Sequence, residues 1–334
     1  MTINYNFYAS VSDYMRRNVS LSGNYYSNKL TLLRGALIVG LAPKSNLMLP
    51  KEVIEWKLST VIGFVDYNPT SFEIKNTYLL ETSEKVTVAY FLGMVFAQIY
   101  MQSHYGVRHL EHLKNRSILA TSLPGDNKNP DLWGLNNRTM VSYLVEAKGS
   151  TKKSDYFDNG NVTKAESQLG AVTQIDYTAS GKGNVTFNQI SSNLNKLIIA
   201  THPNMNREVT QHVIDPIDGE QKIIKVNGDE LIYKYYSNLI KIIKEESSDI
   251  IEVLGLEFRV IELKKFDFSI GVIEDIYKLL ESKVSLEQQI TMETVTGLNQ
   301  TINKMLDNLE LKLKDHHDND KTSVGIDGII VLSK

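Results

Sequence analysis

The chain of 334 residues contains no cysteine. That absence removes disulfides, zinc knuckles, iron-sulfur clusters and thiol nucleophiles, and leaves oxygen or imidazole to hold any metal. A large excess of one charge is also missing: 36 Lys plus Arg stand against 39 Asp plus Glu, a net charge of -3. Coating of nucleic acid by bulk charge is therefore excluded as a mode of action, whereas a local basic cleft stays open. The most apolar stretches, Leu32 to Leu41 and Tyr90 to Tyr100, fall short of the roughly 20 residues a bilayer demands, so no membrane span is expected. The first eighteen residues lack the basic-then-apolar pattern of a secretory signal, and the expected location is the cytoplasm. Internal repeats and low-complexity tracts are absent too. With 42% hydrophobic and 22% charged residues, the composition is that of a folded protein able to bury a substantial core.

Residues 1 to about 50 read as an N-terminal extension or small lobe, with an apolar run, LTLLRGALIVGLAP, too short to tell strand from helix. Residues 53 to 91 are rich in β-branched and aromatic residues, and the segments through KVTVAYFLG predict sheet. From Met94 the spacing turns helical, through MVFAQIYMQSHYG and on into VRHLEHLKN, with Gly106 as a bend. TMVSYLVEAKG predicts a strand ending on a glycine. VTKAESQLGAVTQIDYTA predicts a helix, with Thr163 and Glu166 spaced as a capping box. NLNKLIIAT predicts a further strand, which makes the middle of the chain an α/β core.

Beyond residue 203 the pattern predicts a hairpin near IDPIDGEQKIIKV, a helix at DELIYKYYSNLIKIIKEES and a strand at FRVIELKKFDF. A helical tract then runs from about Gly271 to Lys314, before a terminal strand at GIDGIIVLSK. Its apolar stripe suits either two helices packed on the core or a helical pair that joins a second copy or a partner protein. Residues 241–320 hold ten Lys or Arg and seventeen Asp or Glu, a balance of -7 that leaves +4 elsewhere. The N-terminal and central parts are thus the side expected to face a polyanion.

The residues suited to chemistry lie in the centre. Pro130-Asp131 follows a loop rich in turn formers, and a strand then delivers Glu146-Ala147-Lys148-Gly149. Positions i and i+2 of a strand share a face, so Glu146 and Lys148 emerge together while Ala147 points the other way. With Asp131 on the neighbouring strand, two carboxylates and one ammonium converge. Asp131 and Glu146 are hard oxygen ligands suited to Mg²⁺, with Mn²⁺ as a substitute, and the Ala147 carbonyl is a third donor. Such an ion activates water and stabilises charge on phosphoryl oxygens; Lys148 is assigned to orienting that water. The plain alternative is a turn-capping Asp131 beside a strand-end ion pair of Glu146 and Lys148.

Other groups carry weaker signals. Lys152, Lys153, Lys164 and Lys182 suit either phosphate steering or a solvated loop. His104, His109 and His112 lack the spacing of a zinc protease helix, and read as packed histidines or, for His109 and His112, as cleft lining. His316-His317 reads as part of a polar linker, Tyr156 and Phe157 as a loop anchor or a base-stacking pair, and Trp133 as core or cleft wall. Gly181 to Gly183 lack the rest of a phosphate-binding loop, and no Ser-His-Asp set can be assembled.

Pro130-Asp131 and Glu146-Ala147-Lys148 together resemble the PD-(D/E)xK nuclease superfamily, the fold of many restriction endonucleases, recombination nucleases and resolvases. The segments HLEHLKN, PDLWGLN, SYLVEAKG, AESQLGAV and KLIIAT follow the order of its core: helix, strand system, helix, strand. The resemblance covers about residues 94 to 202. It implies a restriction-endonuclease-like α/β core of a mixed sheet flanked by helices. A sheet-rich N-terminal addition over 1–93 and a C-terminal meander and helical region over 203–334 would flank it. It also implies Mg²⁺-dependent hydrolysis of DNA in restriction, phage defence or repair. Gln168 in AESQL matches a glutamine that some members carry after the lysine, and Glu111 is the nearest match to an acid that some place on the first helix. An RNA nuclease, or a non-catalytic interaction module on the same scaffold, stand as alternatives.

Overall fold

A computed structural model describes residues 1–39, 51–68, 70–113, 119–121, 130–179, 185–190, 194–216, 222–284, 295–314 and 318–334. The chain runs β1 (Thr2–Tyr8), α1 (Val11–Met15), β2 (Leu21–Tyr26), α2 (Lys29–Ile38), α3 (Lys51–Phe64), β3 (Val65–Tyr67), β4 (Phe72–Ile74), α4 (Thr82–Tyr105) and β5 (Leu110–His112). It continues through β6 (Leu119–Thr121), β7 (Leu132–Asn136), β8 (Val141–Gly149), α5 (Asn159–Gly170), β9 (Val172–Ala179), β10 (Val185–Ile190), β11 (Asn195–Pro203) and β12 (Val209–Ile214). The last part comprises β13 (Lys222–Asn227), α6 (Gly228–Glu245), β14 (Ser248–Val253), β15 (Leu256–Leu263), β16 (Phe268–Ile273), α7 (Glu274–Glu281), α8 (Leu298–Leu313), β17 (Thr322–Val324) and β18 (Ile329–Ser333).

The expected α/β class with a mixed central sheet flanked by helices is what the fold shows. Seven strands pair in the order β2-β1-β12-β11-β8-β7-β5. Strand β8 is antiparallel to β7, which is antiparallel to β5, while β8 and β11 run parallel across the crossover that contains α5. A four-stranded sheet, β10-β9-β13-β6, and a five-stranded sheet, β14-β15-β16-β18-β17, complete the fold, with α6 packed against both, α7 on the five-stranded sheet and α8 on α6 and α7. Residues before 94 and after 202 supply β1, β2 and β12 to the central sheet, and lines drawn after 93 and after 202 cut through α4 and β11.

Several local expectations are corrected. Most of the 53–91 stretch is helix rather than sheet: α3 and the first half of α4, with only the short β3–β4 pair between them. Helix α4 starts where Glu84 Oε2 accepts the Glu81 amide at 2.9 Å, and it ends at Gly106, whose φ of 60° is left-handed. Its buried residues run all round the cylinder, so no clean amphipathic stripe marks it in the sequence. The same burial explains why α4 is long and apolar enough to match a bilayer by length, yet has 72% of its most apolar window inside the protein.

Beyond Gly106 the chain is extended into β5, not helical, so Glu111 sits on a strand. The helix expected over 162–179 stops at Gly170, and VTQIDYTA forms β9, whose alternating Ile175, Tyr177 and Ala179 are buried. Its N-cap is Asp158, which accepts the Asn161 amide at 2.8 Å, rather than Thr163. Strands β12 and β13 are not a hairpin: the first joins β11 and β1, the second joins β9 and β6. The C-terminal region is not chiefly helical, because β16 takes residues 268–273 and a whole sheet surrounds it. The stripe of Ile302, Leu306 and Leu309 on α8 is buried within the chain, with α8 packed on α6 and α7.

One contact sets how closely α4 approaches β8. A Cβ on Gly149 would lie 1.7 Å from the Ala89 carbonyl oxygen, and a Cβ on Gly93 would lie 2.8 Å from the Gly149 nitrogen. These are backbone atoms, which cannot rotate away. Gly149→Ala is expected to push α4 off the end of β8 and to destabilise the protein by about 1–3 kcal/mol, read as a lower denaturation midpoint at unchanged slope.

Candidate active site

The Gly149 contact points the odd positions at the end of β8 toward α4, so strand alternation sends Glu146 and Lys148 from the opposite face. Helix α5 covers that face and brings Gln168 to Lys148: Lys148 Nζ donates to Gln168 Oε1 at 3.2 Å and to Glu146 Oε1 at 2.5 Å. Asp131 stands just before β7, beside Glu146. Its amide donates to Glu146 Oε2 at 2.9 Å, and its Oδ2 accepts the Ala147 amide at 3.2 Å. Asp131, Glu146, Lys148 and Gln168 thus meet at the carboxyl end of β8; strand spacing points to the first three, and Gln168 is the residue that the family resemblance implies. The Ala147 carbonyl leaves the strand on the same edge as its amide, toward Asp131.

Asp131 and Glu146 are 3% and 0% exposed, whereas the Lys148 side chain keeps 23% of its surface in solvent. Burial pushes the Glu146 carboxyl well above its ordinary range, the neighbouring Asp131 adds to the rise, and Lys148 opposes it. Two buried carboxylates facing one ammonium make a site short of positive charge. The donors are hard oxygens, so this set fits a small divalent cation with water completing its shell. Among the described residues no group of three or more Asp, Glu or His side chains forms a cage. The protein ligands would be two carboxylates and a carbonyl.

Tyr90 is a member of the site that sequence reading missed. Its hydroxyl hydrogen-bonds Asp131 and lies 3.1 Å from His112 Nε2. Burial, then the charges of Asp131 and Glu146, raise the phenol further above its normal range, which keeps its proton in place. The signal was present as Val86 and Tyr90 four residues apart, one helical turn, inside a segment whose β-branched residues argued for a strand.

A cleft of about 450 Å³ opens beside these residues, between the first turns of α4 and the loop from Ser150 to Asp158. Ser150 and Ser154 tie that loop to β11 through the carbonyls of Thr201 and Pro203. Lys152 lines the cleft with Lys148, whereas Lys153 and Lys164 are exposed; Lys182, Gly181 to Gly183 and His316-His317 lie outside the described residues.

The remaining candidates sort by burial. Glu111, two strands from β8, is fully buried, and burial pushes its carboxyl up to about 8 against the pull of Lys234 and Lys57. His109 packs on Tyr235 with Nε2 2.9 Å from the Tyr236 hydroxyl, and burial drives its imidazole down to about 3. His104 stacks on Tyr100, and His112 alone of the three reaches the site, through Tyr90. Trp133 is core, stacked on Tyr177. Phe157 is buried and holds its loop by accepting the Tyr14 hydroxyl at 2.6 Å, while Arg17 lies 3.9 Å over the Tyr156 ring.

A second polar cluster braces the loop from the other side. His202 Nδ1 lies 3.0 Å from the Pro203 carbonyl, which only accepts, so Nδ1 carries the proton. His202 Nε2 then accepts from His212 Nε2 at 2.9 Å, and His212 Nδ1 accepts the Tyr8 hydroxyl at 3.2 Å. Both rings are neutral in this chain. Burial, reinforced by each other's proximity and by Arg17, lowers His212 to about 3.

No family model, no curated protein and no solved structure matches this chain.

Proposed function

We propose that the chain is a metal-dependent nuclease that hydrolyses phosphodiester bonds, with DNA as its substrate, on a restriction-endonuclease-like core. The observation that carries this reading is the convergence of Asp131, Glu146, Lys148 and Gln168 at one strand end, beside a cleft with lysines on its rim. The order of elements around the central sheet supports it: α4, then β5, β7 and β8 antiparallel, then α5, then β11 parallel to β8, with β6, β9 and β10 inserted between them as part of the four-stranded sheet.

Asp131, Glu146 and the Ala147 carbonyl would hold Mg²⁺, or Mn²⁺ in its place, and the bound ion supplies an acidified water and positive charge for the phosphoryl oxygens. Lys148 is the most exposed of the three charged groups and reaches from Glu146 toward the cleft. It orients the attacking water and meets the charge that builds on the phosphate. Gln168 accepts one Lys148 proton and so fixes the direction of the others. Tyr90 holds Asp131 by hydrogen bonding.

Lys148→Ala is expected to lower the rate of Mg²⁺-dependent cutting by about 10²–10³-fold. Gln168→Ala, which removes an acceptor of Lys148, is expected to lower it by about 10-fold. Quantified cleavage of end-labelled DNA and RNA checks both. Equal activity in wild type and Lys148→Ala would remove Lys148 from the chemistry, and a folded wild type that cuts neither polymer would favour a non-catalytic interaction module.

A further inference from the structure

We infer that the cleft beside Lys148 receives one unpaired nucleotide of the strand being cut, so that single-stranded or frayed nucleic acid is the substrate and intact duplex is not. The inference rests on the nuclease reading of the same site and adds the class of substrate. Three features of the cleft carry it.

The first is size and depth. At about 450 Å³ the cleft has room for a single small molecule, and past Ser150, Lys152, Phe157 and Asp158 it continues into a second hollow of about 440 Å³. Asp131 and Glu146 lie at 3% and 0% exposure, so the phosphate to be cut must descend to them. A single strand has the backbone freedom to do so. A duplex keeps its bases stacked inside and offers its phosphates at the rim, unless a nucleotide is first taken out of the stack.

The second is the chemistry of the walls. Val86, Ala89 and Tyr90 project from α4 on one side and Phe157 stands on the other. Val86 is 64% exposed and Tyr90 41%, an apolar and aromatic surface left open to solvent next to a charged site. A base has an apolar π-face to lay against it, and such stacking tolerates any sequence.

The third is the placement of charge. Lys85, Lys148 and Lys152 line the cleft with one acid, Asp158, which caps α5 by accepting the Asn161 amide at 2.8 Å. Lys148 is held by Glu146, but neither Lys85 nor Lys152 forms an ion pair among the described residues. Two free ammonium groups flanking an apolar wall match a nucleotide with its phosphates on either side, in a chain whose overall charge of -3 would otherwise repel a polyanion.

The test is Mg²⁺-dependent cleavage of one sequence offered as single-stranded DNA, single-stranded RNA, blunt duplex DNA and duplex DNA with a single-stranded flap. It is run on the wild type and on Val86→Asp, an exposed change that leaves Asp131, Glu146, Lys148 and Gln168 intact. A single strand or flap is expected to be cut at least about tenfold faster than the blunt duplex, with Val86→Asp losing about tenfold on the single strand. Duplex cut as fast as single strand, or a Val86→Asp variant with unchanged single-strand cutting, overturns the inference and leaves the nuclease reading standing. Failure to cut any of the four substrates overturns both.

Discussion

Glu146→Gln is expected to abolish metal-dependent cutting, with a loss of more than about 10³-fold, and at the same time to make the metal-free protein more stable. The two effects have one cause. Burial and the Asp131 charge make the ionised Glu146 carboxylate unfavourable in the folded state. Its native pKa therefore lies above the unfolded one. The native state holds a proton that the unfolded state has released, and stability falls as pH rises through that window. A glutamine has nothing to ionise, so the stability gap between variant and wild type opens above pH ~4.5 and grows until the native carboxyl has itself ionised. A gain of about 1–3 kcal/mol at mildly alkaline pH is the expected scale, measured by denaturant titration in EDTA. A structural ion pair with Lys148 gives the reverse sign: Glu146→Gln would then destabilise at every pH above the carboxylate range.

Arg108→Ala is expected to cost about 1.5–3 kcal/mol, the scale of losing hydrogen bonds to charged groups, because Asp307 is 58% exposed and Glu310 keeps Arg138 as a partner. Arg108 is 1% exposed, and its guanidinium donates to four acceptors on α8: the Asn303 carbonyl at 3.1 Å, Asn303 Oδ1 at 3.0 Å, Asp307 Oδ1 at 2.5 Å and Glu310 Oε1 at 2.7 Å. It thereby ties the chain entering β5 to a helix some two hundred positions later. A lysine keeps the charge but not the planar fork, so Arg108→Lys is expected to recover only part of the loss. Thermal and denaturant unfolding check the ranking wild type, Arg108→Lys, Arg108→Ala. An Arg108→Ala midpoint within error of wild type would show that these bonds contribute nothing net.

The contrast between these two sites reflects what was legible in the sequence. Asp131, Glu146 and Lys148 could be read because the geometry that unites them is local: a period of two along β8, and a tight antiparallel pairing with β7. Gln168 entered only through the family resemblance, since nothing local to β8 marks a residue on the following helix. Arg108 gave no such signal, since its partners Asn303, Asp307 and Glu310 are defined only by the tertiary fold. The Tyr8–His212–His202 chain was silent for the same reason: it joins β1 to β12 and β11 across the sheet.

Errors in the fold trace to burial. Helix α4 is covered on so many sides that its apolar residues lose the stripe that announces a helix, and its Val86, Val88 and Tyr90 argue locally for a strand. That misreading hid Tyr90, the group that links α4 to Asp131. Turn residues between β12 and β13 suggest a hairpin, yet the partners of β13 are β9 and β6. Pairing over such distances depends on which apolar faces need covering, not on the intervening residues.

The most direct test is cleavage by the purified wild-type chain of circular DNA, linear DNA, a single strand and RNA in Mg²⁺, in Mn²⁺ and in EDTA. Cutting of at least one of these in either metal, lost in EDTA and restored by excess metal, is the expected result. A folded protein that cuts none of them in either metal, or one whose cutting is unaffected by EDTA, would contradict the assignment of Asp131 and Glu146 as metal ligands and of the chain as a metal-dependent nuclease.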